Sequence, residues 1–323
     1  MVYIYALCNV YYDSFYLKGV KDVFSTYKFN SDRFPKFRQG TFAVLITDNS
    51  LNLKLIIDSN DSDEYDKDAL KWCDTYGKVN YRDCSQPKEY NNKIKPIGPS
   101  FGIKIWSFQK TFFLALYNFC RYRKYITDKR EFVANYWRQC NRLPLEYYKN
   151  DSSLDKYIFS TESIWQRENQ TNNTRARFIT ACKENSRIDF EGGFAPRDDG
   201  ENLNFDNLVV SKRYSLKDYL LKLKKSAITF NTPAVLSCHG WKLGDYLALG
   251  KAIISTRHIN RLPAELEDGL HIEYVDSLDE ISEKINLILS NQKIKNGLEK
   301  NARIYFETYL TPKVVIENLL NTK

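Results

Sequence analysis

The residue types best suited to chemistry gather in one stretch, Ser226 to Ser255, which reads SAITFNTPAVLSCHGWKLGDYLALGKAIIS. Its apolar opening suits a strand that delivers the chain to Cys238, His239 and Gly240; a helix starts near Trp241, and Gly250 releases it into the apolar run Ala252 to Ser255. A helix N-terminus behind a small residue is a ready anion site. Its first N–H groups have no partner inside the helix, the helix dipole favours negative charge, and glycine lets a phosphate come close. Asp245, near the beginning of that helix, can reach the hydroxyls of a sugar whose phosphates rest on the N-terminus. His239, just before the helix, can donate a hydrogen bond to such a ligand or serve as a structural histidine satisfied by local backbone.

A turn of this kind needs an α/β frame, and the chain alternates strand and helix patterns along most of its length. In the first half, Val2 to Val10, Phe42 to Thr47, Leu53 to Asp58, Gly77 to Tyr81 and Lys93 to Ile97 read as strands, and Ser14 to Phe24 and Asp63 to Asp74 as helices. Asp48-Asn49-Ser50 is a turn signal that makes the second and third strands a hairpin. After Trp106 the pattern is helical to about Cys140. Asn141 to Asp155 is polar and without period, which places a domain boundary there and predicts domains over 1–150 and 151–323. The second half reopens with a strand at Lys156 to Ser160, a helix at Asn172 to Lys183 capped by Thr171 or Asn172, and a strand at Arg187 to Glu191. Helices follow at Ser215 to Lys225, at Ser277 to Leu289 with Ser277 as cap, and at Asn291 to Tyr309. Thr311 caps a last helix that Pro312 begins and that runs to about Leu320. Each half is expected to hold a parallel sheet.

Composition narrows the classes. The 323 residues suit two ordinary cores, and 43% hydrophobic with 27% charged residues is the balance of a soluble globular chain. No uncharged apolar run approaches the ~18 residues of a membrane span. Met1 to Val10 carries no basic n-region or cleavage site, so a cytoplasmic location is expected. Seven scattered cysteines imply reduced thiols, and three histidines, all in the last third, give a zinc site little to build on. The net charge of +8 is concentrated: Lys104 to Lys149 holds ten Lys or Arg against three acidic residues, interleaved with Trp106, Phe112, Phe113, Tyr117 and Trp137. Such a segment can face anionic lipid headgroups or nucleic acid, or can be a core helix with a basic wet face.

WKLGDYLALGKAIIS resembles the donor-binding helix of GT-B glycosyltransferases, where a glycine-rich turn leads into a helix bearing an acidic residue, then Ala-Leu-Gly and an apolar strand. YIFSTESIW followed by RARFITACK is similar to the first strand and helix of that family's C-terminal domain, GLHIEYVDSLDEISEKINLIL to a late strand and helix, and NARIYFETYLTPKVVIENLL to the closing helices. The likeness spans about Lys156 to Leu320. It implies an α/β fold of two facing Rossmann-like domains with a cleft between them, and a C-terminal helix, about 311–320, returning to the N-terminal acceptor-binding domain. It also implies transfer of a hexosyl or deoxyhexosyl group from a UDP-, GDP- or dTDP-sugar to a glycan or lipid-linked acceptor in surface-polysaccharide assembly. No metal cofactor or nucleic acid is then needed, and a lipid-linked acceptor would bring peripheral contact with an anionic membrane at its inner face.

Carried over by position, Gly240, Trp241 and Lys242 offer backbone N–H groups to the diphosphate, and Asp245 accepts the ribose hydroxyls. The family's retaining branch has a further acidic residue eight positions earlier, where this chain has Ser237. Arg197, Lys212, Arg213, Lys224 and Lys225 are the candidates for stabilising the leaving diphosphate, a role that electrostatics rather than a bound ion fills in this fold. An inverting transfer needs a general base from the N-terminal half. That half has no histidine, so Asp13, in the loop after the first strand, is the candidate, with Asp58 and Asp61 as rivals. Gly98-Pro99-Ser100-Phe101-Gly102 can line the acceptor side or be a plain turn. Two other readings compete: a nucleotide-sugar epimerase of the same fold, and a non-catalytic nucleic-acid-binding protein suggested by the basic aromatic segment.

Overall fold

The computed structural model describes residues 1–37, 40–48, 52–149, 151 and 153–321. The chain runs β1 (Val2–Tyr5), α1 (Ser14–Phe24), β2 (Lys28–Asn30), β3 (Phe42–Thr47), β4 (Asn52–Asp58), α2 (Lys67–Trp72), β5 (Thr75–Lys78), β6 (Ile94–Pro96), α3 (Phe108–Tyr122) and α4 (Lys129–Cys140). It continues with β7 (Tyr157–Glu162), α5 (Asn169–Glu184), β8 (Asp189–Phe194), α6 (Leu216–Lys225), β9 (Ile228–Asn231), α7 (Trp241–Leu249) and β10 (Ala252–Thr256). β11 (Glu273–Val275), α8 (Glu280–Ser290), α9 (Gln292–Tyr305) and α10 (Pro312–Leu320) complete it. Two compact units result. Unit 1 is Met1–Tyr147 with Asn260–Ala264 and Thr308–Lys323; unit 2 is Tyr148–Ile259 with Glu265–Glu307. The last helix therefore belongs to unit 1.

Unit 1 is built on a six-stranded sheet in the order β2-β1-β3-β4-β5-β6. β1 and β4 are each antiparallel to β3 and thus parallel to one another, while β2, β5 and β6 follow their parallel neighbours. The expected parallel sheet is corrected here to a mixed one. The β3–β4 hairpin, paired from Phe42–Ile57 to Thr47–Asn52, turns one strand against the other five, because a short connection returns the chain antiparallel. Asn49 and Ser50 of its expected turn lie outside the described residues, as do Asn150 and Ser152 of the boundary stretch. The five parallel strands bring the segments after β1, β4, β5 and β6 to one sheet edge, where open α/β sheets bind ligands. α10 packs along α1, and Gly19 makes the approach feasible: a Cβ there would lie 2.1 Å from the Pro312 carbonyl oxygen.

Unit 2 carries the parallel ladders β8-β7 and β9-β10-β11. The starts of β7 and β9 are joined by Ala227 N–H to the Tyr157 carbonyl (2.7 Å) and Phe159 N–H to Ser226 Oγ (2.9 Å). Their far ends are bridged by Arg175, which donates to the Ser163 carbonyl and to Thr232 Oγ1. The strands are thus side by side in the same sense, and the two-stranded β8-β7 and three-stranded β9-β10-β11 sheets meet there. Ile158, Ile228, Phe230 and Ile254 of these strands are buried against Phe178 of α5, Ile281, Ile285 and Ile288 of α8, and Leu298 of α9. Phe178 and Phe230 stack with ring centres 4.4 Å apart. Each such side chain contributes about 1.5–3 kcal/mol by leaving water.

Three local expectations are corrected. α5 begins at Asn169 with no side-chain cap, because the Asn172 amide instead accepts from and donates to the backbone of Trp165. α8 begins at Glu280 behind Asp279; the Ser277 hydroxyl and the Asp276 N–H both donate to the Glu280 carboxylate, so serine caps no backbone. The helix expected to reach Tyr309 widens into a π-turn over Phe306–Leu310 before Thr311 caps α10.

Candidate functional site

The central stretch folds largely as its spacing implies, with one addition. β9 ends at Asn231, and a turn at Val235–Ser237 intervenes before Cys238, with Leu236 and Ser237 both at positive φ. The Glu168 carboxylate accepts the Leu236 N–H at 3.0 Å and so fixes that turn to the start of α5. α7 then starts at Trp241 behind Gly240, without a side-chain cap. Six other helices, α2, α3, α4, α6, α9 and α10, do have one, from Asp66, Ser107, Asp128, Ser215, Asn291 and Thr311. Gly250 ends α7 at φ 59, with its N–H bonded to the Leu247 carbonyl and the Lys251 N–H to that of Tyr246, an arrangement glycine adopts without a Cβ penalty.

Around this helix the structure gathers charges that the sequence did not single out. Glu162, at the carboxyl end of β7 and 3% exposed, accepts from Lys242 Nζ at 2.7 Å, from Ser160 Oγ at 3.1 Å, and lies 3.4 Å from Arg175 Nε. Lys242 also donates to the Thr161 carbonyl, so its side chain reaches back to β7 while its backbone remains in the first turn of α7. Burial holds the Lys242 ammonium below the usual lysine range, even with Glu162 favouring the charge. Glu162 thus faces two cations, and Asp245 also favours the Lys242 charge, so paired charges lie beside a helix start that has no side-chain cap and whose dipole favours an anion. Glu162 could have been flagged as an acidic residue at a strand end; no sequence signal marks Arg175, which enters only through tertiary packing.

Asp245 is buried on α7, near Tyr219 and Tyr246. Burial first, then the surrounding acids including Asp245 and Glu162, pushes both phenols well above their usual value. The His239 ring is buried 5.5 Å from that of His258, which contacts Asn231 Nδ2 (3.1 Å) and Tyr274 Oη (2.9 Å). Burial and the neighbouring His239 lower the His258 pKa to about 3, so His258 is neutral at physiological pH. A cavity of about 350 Å³ opens on this edge, lined by Glu168, Thr174, Thr232, Ser237, Thr256 and Arg257 among others.

Arg197 and Arg213 come together beyond β8, lining a separate cavity of about 370 Å³ with Ser163, Trp165, Asp198 and Asp199. Both are engaged: Arg197 with Asp199 and the Ile164 carbonyl, Arg213 with Asp198 (3.2 Å) and the Pro196 carbonyl. Lys224, at the C-terminal end of α6, is remote from this edge; its carbonyl accepts from the buried Lys251.

In unit 1, Asp13 lies between β1 and α1, 1% exposed. It accepts from the Asn9 N–H (3.0 Å) and faces Ser59 Oγ (3.5 Å). Burial pushes its carboxyl pKa well above the usual value, the nearby Asp58 adding to the shift. Asp58 itself is taken up by Lys78 Nζ (2.9 Å) and Tyr76 Oη (2.6 Å). The residues from Asp58 to Asp63 are tied to their surroundings: Asp58 accepts from Asn60, and Asp63 from Ser85 and Arg82. Among the described residues, no group of three or more His, Cys, Asp or Glu side chains could hold a metal ion, and no helix is long and apolar enough to cross a membrane.

No family model matches the chain, and no curated protein matches it. Solved structures do. The C-terminal domain of a glycosyl transferase group 1 family protein (LpcC) from Francisella tularensis is similar at 13% identity and TM-score 0.36, over 51% of this chain and 96% of that one. A glycosyltransferase from Rickettsia africae is similar at 11% identity and TM-score 0.44, over 83% and 69%. The glycosylation-associated Gap123 complex from Streptococcus agalactiae is similar at 10% identity and TM-score 0.47, over 80% of this chain and 46% of that one.

Proposed function

We infer that the chain is a GT-B-type glycosyltransferase whose unit 2 holds a nucleotide-sugar donor at the junction of β7, β9 and α7. The observation that carries this reading is the start of α7 at Gly240, without a side-chain cap, beside the Glu162–Lys242–Arg175 cluster, where the β8-β7 and β9-β10-β11 ladders meet. The backbone N–H groups of Trp241 and Lys242 face the diphosphate, His239 donates to it or to the sugar, and Asp245 takes the ribose hydroxyls. Arg197 and Arg213, drawn from their acidic partners, are the further cations for the leaving group; this makes the transfer metal-independent.

Asp13 is the general base in this reading. Its carboxylate takes the proton of the acceptor hydroxyl, the acceptor oxygen bonds to the anomeric carbon, and the carbon–oxygen bond to the diphosphate breaks with its electron pair. A carboxyl with a raised pKa is the better proton acceptor near neutral pH. The acceptor is a glycan or lipid-linked glycan, and the donated group a hexose or deoxyhexose. The exposed Phe108, Phe112, Phe113 and Trp137 of α3 and α4, set among lysines and arginines, support peripheral contact with an anionic membrane from the cytoplasmic side.

The test is release of nucleoside diphosphate from a panel of UDP-, GDP- and dTDP-sugars. One donor is expected to turn over, and Asp245→Ala to weaken its binding about tenfold or more, as loss of a hydrogen bond to a charged group does. Turnover of no donor, or full activity in the variant, contradicts the assignment.

A further inference from the structure

Unit 1 holds a cavity, apart from Asp13, where β1 and β2 begin. It measures about 590 Å³, within the range of ligand pockets, and lies among the end of α1, β2 and one face of α3. Lys21, Lys28 and Lys110 line it, and among the described residues none of the three has a carboxylate within ion-pair distance; Arg121, also lining it, is 3.2 Å from Asp32. Its walls are Tyr27, Trp106 and Tyr122, the last two buried.

Asn118, fully buried, lines the cavity with half of its amide unmatched. Nδ2 donates to Tyr136 Oη at 2.8 Å, and Oδ1 has no hydrogen-bond partner. Turned about its Cγ bond, the amide would accept from the Tyr136 hydroxyl and offer N–H instead. Either way one buried polar atom is left over, at a cost of about 1–3 kcal/mol that a polar ligand group would offset. On the outer side Tyr117 lines the cavity and is 60% exposed, and on the same helix Phe113 is 66% and Leu116 50% exposed. Cations and a spare amide within, and an apolar lip leading out over α3, fit an anion carried on an apolar tail.

We propose that this cavity binds a phosphate monoester on an apolar chain, with the phosphate against Lys21, Lys28, Lys110 and Asn118 and the chain leaving over Tyr117 and Phe113. The site is separate from the donor chemistry, so its binding is read with no sugar donor present and its failure leaves the donor assignment untouched, while the vesicle arm bears also on the membrane contact of α3 and α4. Two sources carry this chemistry: a single-chain phosphate free in solution, and a phosphatidic-acid headgroup in a bilayer.

The experiment titrates the full-length protein with dodecyl phosphate below its micelle concentration, following tryptophan fluorescence, beside dodecyl maltoside and inorganic phosphate. Vesicles of phosphatidylcholine with and without phosphatidic acid form the bilayer arm. Lys28→Glu with Lys110→Glu, both exposed, should fold normally and weaken binding at least tenfold. Asn118→Leu, read at a temperature below its measured unfolding transition because it also removes the partner of the Tyr136 hydroxyl, should weaken it too. Saturable binding of dodecyl phosphate, or retention on phosphatidic-acid vesicles, that the lysine variant loses supports the site and identifies its source. Absence of both, undiminished binding by the lysine variant, or equal binding of dodecyl maltoside or inorganic phosphate overturns it.

Discussion

At the carboxyl ends of its strands, unit 1 buries Asp13 against backbone and hydroxyl donors and locks Asp58 to Lys78 and Tyr76. At the same ends in unit 2, Glu162 pairs with both Lys242 and Arg175, and α7 starts without a side-chain cap. Both edges come from strands followed by helices, yet one presents a carboxyl that burial keeps protonated more readily, and the other paired charges beside a helix start whose dipole favours an anion. Similar sheet geometry therefore sets where a site lies, while a few buried charges set which end of a reaction it can serve.

The largest effect expected on this contrast comes from Glu162→Ala. Removing the carboxylate leaves Arg175 buried beside Lys242 without compensation, which should cost about 3–5 kcal/mol in urea unfolding. A loss under about 1 kcal/mol would mean that the cluster is solvated and that unit 2's edge is not the charged device described.

Gly19→Val comes next, and its effect belongs to unit 1. The added side chain meets the Pro312 carbonyl, so α1, the helix that begins beside Asp13, must move off α10, at a cost of about 2 kcal/mol or more. Hydrogen exchange should quicken in α1 and α10 and stay unchanged in β7, β9 and α7; uniform quickening would break the separation of the two units.

Asp13→Asn gives the smallest and most specific signal. A carboxyl whose pKa is raised by folding holds a proton that the unfolded chain has released, so wild-type stability falls as pH rises from the ordinary aspartate value through the folded one. The amide cannot ionise, so the variant should lose that decline in urea unfolding between pH 4 and 8, and match or exceed wild-type stability at neutral pH. Parallel pH profiles would show Asp13 to be an ordinary carboxylate and remove its claim to be the base.

How far the sequence reached follows the same division between local and tertiary causes. α1, β3, α7 and α10 have the limits their residues imply, because capping residues, alternation and Gly250 act within a few positions. The antiparallel β3–β4 pair is the hairpin that its spacing implies, whereas the Glu168 contact that fixes Leu236 and the caps misplaced at Asn172 and Ser277 depend on partners across a loop or farther along the chain. Among the candidate residues, the stretch from His239 to Asp245 and the position of Asp13 were legible from strand–helix punctuation. Glu162 with Arg175 was not, since a strand-end acid and a mid-helix arginine 13 residues apart reveal their pairing only in the folded chain.

The central claim is that unit 2's edge takes a nucleotide diphosphate. The most direct measurement is thermal unfolding of the purified protein with UDP, GDP, dTDP, CMP and short RNA, wild type beside Asp245→Ala. Selective stabilisation by one nucleoside diphosphate, reduced in the variant, is the predicted result. Stabilisation by RNA alone, falling with salt, would contradict it and move the binding to the basic face of α3 and α4.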